Sequence, residues 1–178
     1  MSELVKAGGN RRLDRVLDEA FARNLSALET EKLRERRNLA RAEREYLSLV
    51  RRLLQGRLDI LRAERDRRAS GGDAASIRDR LPEILADAPR GPSRGEAVVV
   101  PMPDEEISLA RRRVERLVSD TSLSDLEALS DADLGASIGR LEEEERAVSD
   151  VRGKVLAVLD QLQGELKERL RAEYGGVE

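Results

Sequence analysis

Leu47, Val50, Leu54, Leu58 and Leu61 recur at steps of three and four residues, and Leu141, Val148, Val151, Val155, Leu159, Leu162 and Leu166 do the same near the other end of the chain. Such spacing puts one apolar stripe along an α-helix and predicts two long helices, each with a seam for a partner. The first is expected from about Glu31 to Arg68, with Thr30 offering a cap; the second runs from a capping-box-like start at Ser130 and Asp133 to about Tyr174. A shorter amphipathic helix is expected over LDRVLDEAFARNLSAL, and Asp104 can cap another over EEISLARRRVERLV. All five prolines (82, 89, 92, 101, 103) fall between these regions with Gly71, Gly72, Gly91 and Gly95, which predicts a mobile linker over 70–103. The chain therefore divides into 1–69, 70–103 and 104–178. The fold class is all-α: two long helices in an antiparallel coiled-coil hairpin with short accessory helices, the antiparallel sense following from a linker that returns near its starting end.

Composition agrees with exposed helices. Of 178 residues, 33 are Lys or Arg and 36 Asp or Glu, against two Tyr, one Phe and no Trp, too few aromatics for a broad globular core. The absence of His and Cys excludes imidazole base catalysis, Ser-His and Cys-His nucleophiles, disulfides and Cys/His zinc sites. No catalytic residue and no metal ligand is assigned, and the expectation is a non-enzyme. A net charge of −3 with interleaved signs gives no footprint for direct DNA binding. No apolar run reaches the ~20 residues of a membrane span and no secretory signal opens the chain, so a cytoplasmic location is expected.

The two halves are related. A gapless offset of 101 residues places Leu25 on Leu126, Ala27 on Ala128, Leu28 on Leu129 and Leu33 on Leu134; it also places Ser48 on Ser149, Arg51 on Arg152, Asp59 on Asp160 and Glu64 on Glu165. Leucines would match in any two coiled-coil helices, but a seam does not ask for Ser, Arg and Asp at fixed separations. The polar rows are Ser48, Arg51, Gln55, Asp59 and Ser149, Arg152, Leu156, Asp160. At about 100° per residue these offsets keep to one sector of a helix, and each position lies one residue beyond the seam. Arg can reach O6 and N7 of guanine and Asp can accept from N1 and N2, so a row of this kind can read guanine. Gly56 and Gly153 lie at these rows, where a missing Cβ lets a flat ligand approach. Two rows related by an approximate two-fold axis suit a ligand with its own two-fold symmetry, such as a cyclic guanine dinucleotide. Taken singly, either row is also what flanks an ordinary coiled-coil seam with weak interhelical pairs.

The strings YLSLVRRLLQGRLDIL and ERAVSDVRGKVLAVLD resemble the nucleotide-binding helices of the RsiG family, the cyclic di-GMP-dependent anti-sigma factors of sporulating actinobacteria, whose motif E-x-x-x-S-x-x-R-x-x-x-Q-x-x-x-D occurs twice on an antiparallel coiled coil. The first copy here supplies Ser48, Arg51, Gln55 and Asp59 but has Arg44 where the motif has Glu; the second supplies Glu145, Ser149, Arg152 and Asp160 but has Leu156 where it has Gln. The resemblance implies that these residues, Arg44 included and Leu156 only packing, bind a pair of cyclic di-GMP molecules. It further implies that, with this ligand, the protein regulates transcription in sporulation by holding a WhiG-type sigma factor away from RNA polymerase. The competing expectation is a coiled-coil adaptor or scaffold that docks another helix with no small molecule.

Overall fold

The computed structural model describes residues 11–71, 102–117 and 126–174, and among these every regular element is helical. The described residues form four α-helices, α1 (Arg11–Val16), α2 (Thr30–Ala69), α3 (Asp104–Leu117) and α4 (Asp131–Tyr174), with single 3₁₀ turns at Glu19–Phe21, Leu25–Ala27 and Leu126–Ala128. The long helices occupy the predicted spans. The expected linker lies, from 72 to 101, outside the described residues.

The amphipathic stretch expected as one helix from about Leu13 to Ala27 is instead broken into α1 and two 3₁₀ turns. Asp18 takes an extended conformation and its carboxylate accepts from the Ala20 amide at 2.8 Å, so the side chain starts a new turn where the helix would continue. Asn24 then adopts a left-handed conformation (φ 54°), which Asn tolerates better than most residues and which no helix can pass through. Ser130 caps α4 as expected: its hydroxyl accepts from the Asp133 amide (3.1 Å) and donates to the Asp133 carboxylate (2.6 Å). Thr30 does not cap α2. The Glu29 carbonyl takes the first helical bond, from the Leu33 amide, and the Thr30 hydroxyl accepts from Arg169.

The chain forms two compact units: residues 1–48 with 147–178, and residues 49–146. Each long helix gives one half to each unit. In the first unit Leu33, Ala40, Tyr46 and Leu47 of α2 are buried, as are Val148, Val155, Leu159, Leu162 and Leu166 of α4. Val151, expected in that stripe, is half-buried at its edge. Leu13, Val16 and Phe21 are also buried in this unit, and Arg12 bonds the fully buried Glu43 at 2.6 Å while lying 5.8 Å from the Tyr46 ring centroid. In the second unit the core is Val50, Leu54, Leu58, Ile60 and Leu61 with Leu126, Leu134, Ile138 and Leu141, and α3 turns Ala110 and Val114 inward.

Each unit is closed by the same arginine clamp. In the first, Arg169 bonds Glu165 (2.8 Å) and Thr30 Oγ1 (3.1 Å), and donates to the carbonyls of Leu25 (2.9 Å) and Ser26 (3.2 Å). In the second, Arg68 bonds Glu64 (2.7 Å) and Asp131 (2.7 Å), and donates to the carbonyls of Leu126 (2.8 Å) and Leu129 (2.8 Å). Arg68 and Arg169 are themselves 101 residues apart. The end of one long helix thus donates to carbonyls in and beside the 3₁₀ turn that precedes the other; those of Leu25 and Leu126 also accept a bond within their own turn. Glu64 is fully buried and also accepts from Arg67 at 2.8 and 2.9 Å. The Arg67 hydrogen bonds, reinforced by Arg68, hold its carboxyl below the ordinary value against the opposing effect of burial, and the Arg68 guanidinium is raised, chiefly by its bond to Asp131.

Candidate functional site

The polar rows sit on the uninterrupted middles of α2 and α4, where side chains three and four apart share a face. Both helices are long enough to carry a row because each has a continuous apolar stripe beside it. The rows are half-exposed, neither sunk in the core nor on the far face: Ser48, Arg51, Gln55, Asp59, Glu145, Ser149 and Arg152 are intermediate in burial, and Asp160 is exposed.

In the second unit Glu145 gathers two members of the first row. Its Oε1 accepts from Arg51 Nε at 2.8 Å and from Gln55 Nε2 at 3.2 Å. Elsewhere in this unit Arg62 donates to Glu142 at 2.7 Å, and that guanidinium holds the Glu142 carboxyl below the ordinary range. In the first unit Arg152 Nε donates to Ser48 Oγ at 2.9 Å, and the same hydroxyl donates to the Arg44 carbonyl at 2.7 Å. Arg44 pairs with its neighbour Glu45.

The structure therefore joins Arg51, Gln55 and Glu145 in one cluster and Ser48 and Arg152 in another, with Arg44 one turn from Ser48. It does not bring the two acidic row members into either. Among the described residues, the side chains of Asp59 and Asp160 enter no hydrogen bond or ion pair. Leu156 is half-buried beside the seam. Gly153 is exposed, and a Cβ built on it meets nothing within 4 Å, so no packing contact of the chain itself demands glycine there.

Sequence reasoning missed the clamp arginines Arg68 and Arg169. The signal was present: the offset that pairs Glu64 with Glu165 also pairs the arginines four residues on, and Glu-x-x-x-Arg is an i, i+4 ion pair on one helix face. No pattern within either helix pointed to the 3₁₀ carbonyls they reach.

These features define an all-α protein whose two long helices carry a doubled polar row beside their packing seams. A protein-family model described as RsiG-like matches residues 19–85, a stretch that takes in all of α2 and the first row and is similar to that family. No curated protein matches the chain. No helix among the described residues is long and apolar enough to cross a membrane.

Proposed function

We propose that the protein is an anti-sigma factor that binds cyclic di-GMP through Ser48, Arg51, Gln55, Asp59, Glu145, Ser149, Arg152 and Asp160, and with that ligand sequesters a WhiG-type sigma factor from RNA polymerase. The observation that carries this reading is the doubled row: two copies of Ser, Arg and Asp at one gapless offset, both half-exposed along packed helices, the first inside the RsiG-like stretch. The contacts support helices running antiparallel in each unit, since Thr30 meets Arg169 and Ser48 meets Arg152 in one, while Arg51 meets Glu145 and Arg68 meets Asp131 in the other.

In this mechanism each Arg supplies a fork to guanine O6 and N7 or to phosphate, and Asp59 and Asp160, which have no side-chain partner among the described residues, accept from the base. Ligand binding then completes a surface that the sigma factor grips, and the partner's affinity rises by linkage with nucleotide concentration. The test is calorimetric titration of cyclic di-GMP into the full chain, alone and with a WhiG-type sigma factor. Saturable binding is expected, and Arg51→Ala or Asp160→Ala should abolish sigma capture while circular dichroism stays helical. Normal sigma capture by those variants refutes the reading.

One observation favours the adaptor instead: Arg51 and Arg152 are already bonded across the helix pair, as in an ordinary coiled coil. Sigma capture unaffected by nucleotide would select that reading.

A further inference from the structure

Ala110 and Val114 bury one side of α3 in its unit, and the outward side of the helix carries a stripe of its own. Glu105, Leu109, Arg112 and Arg116 follow one another at steps of four, three and four, so they share one face, and all four are exposed. Leu109 is 42% exposed, and a hollow of about 470 Å³ opens beside it, lined among the described residues by Leu109, Arg112, Glu115 and Arg116. Among the described residues the side chains of Glu105 and Arg112 enter no hydrogen bond or ion pair. The helix dipole by itself favours acids in the first turn and arginines further on. It does not ask for a leucine facing water between them.

The stripe is complementary to itself. At about 1.5 Å per residue, Glu105 lies about 6 Å before Leu109 along the axis and Arg112 about 4.5 Å after it. When two copies of α3 lie antiparallel with their Leu109 side chains in contact, each Glu105 comes level, to within about 1.5 Å, with the other copy's Arg112. Two ion pairs then flank two packed leucines. A purely acidic partner would match Arg112 and Arg116 but meet Glu105 with like charge, and a purely basic one would do the reverse. We propose that this face of α3 is a self-association surface, on which a second copy of the chain docks its own α3 antiparallel about a two-fold axis through Leu109. The surface uses no member of the polar rows. A pair of helices this short buries less than the roughly 1,200 Å² of a stable interface, so the dimer is weak, with Kd on the order of 100 µM.

Sedimentation equilibrium of the full chain, from about 10 µM to about 1 mM and at low and high salt, tests this. A reversible monomer–dimer equilibrium that salt weakens is expected. Glu105→Arg and Arg112→Glu each turn both pairs into like charges and should weaken the dimer by about tenfold or more, with circular dichroism unchanged. Mixing these two variants restores both pairs, so the equimolar mixture should associate about as well as the parent, which a folding defect in either variant could not produce. A parent that stays monomeric at about 1 mM, a dimer that neither variant weakens, or a mixture no better than its components overturns the proposal. Binding of a synthetic acidic, leucine-containing helical peptide by a monomeric parent, lost in Arg112→Glu, also overturns it and gives the face to a foreign acidic partner.

Discussion

Glu64→Gln tests whether the buried carboxylate under the second clamp matters more than its sister. The substitution keeps the volume but replaces a charged acceptor of three short guanidinium bonds, 2.7 to 2.9 Å, with an amide that turns a donor toward donors. Removing one partner of a buried ion pair costs about 3–5 kcal/mol. Here Arg67 and Arg68 retain 23% and 19% side-chain exposure, and Arg68 keeps Asp131 and two carbonyls, so water and those partners recover part of the loss. About 2–3 kcal/mol remains, which lowers Tm by about 5–10 °C for a chain of this size. Glu165 accepts from Arg169 and is 18% exposed, so Glu165→Gln should cost about 1 kcal/mol. Because the folded-state pKa of Glu64 is lowered, its stabilisation is complete above the unfolded carboxylate value, about 4.3, and is lost as pH falls through the lower folded value. Thermal and urea melts of both variants at pH 7, repeated below pH 4, measure the difference. Equal losses at pH 7, or a gap between parent and Glu64→Gln that widens in acid, would refute the reasoning.

Arg12→Ala removes the 2.6 Å bond to Glu43, which is fully buried; it should cost about 2–3 kcal/mol and expose α1 to limited proteolysis before α2 is cut. Gly153→Ala meets no atom and should stabilise α4 by up to about 1 kcal/mol, yet weaken cyclic di-GMP in calorimetry if a flat ligand lies on that face. Ser48→Ala removes the acceptor of Arg152 at a half-exposed position; urea melts should move by about 1 kcal/mol or less while nucleotide affinity drops severalfold. Asn24→Val forces a β-branched residue into a left-handed backbone and should lower Tm by a few degrees, roughly 1–2 kcal/mol.

The candidate rows were legible because a helix is a local structure: spacing alone put Ser48, Arg51, Gln55 and Asp59 on one face, and the offset of 101 marked Ser149, Arg152 and Asp160 as their counterparts. The pairings were not legible. That Glu145 would take Arg51 and Gln55, or that Arg152 would settle on Ser48, depends on the axial stagger of two helices, and a stripe of leucines permits several staggers one turn apart. The break after α1 was missed because the hydrophobic period over 13–27 is helical, while Asp18 and Asn24 act through their own backbone neighbours.

Periodicity, composition and the Ser130 cap determined that this chain makes long helices, the approximate spans of α2 and α4, which residues line their seams, and that the two halves repeat. Those are consequences of bonds and burial within a few residues of one another. Which carboxylate meets which guanidinium, and that Arg68 and Arg169 close their units on the carbonyls of distant 3₁₀ turns, were decided by tertiary packing. The partners lie 58 to 144 residues apart, and only the burial of both seams brings them within bonding distance.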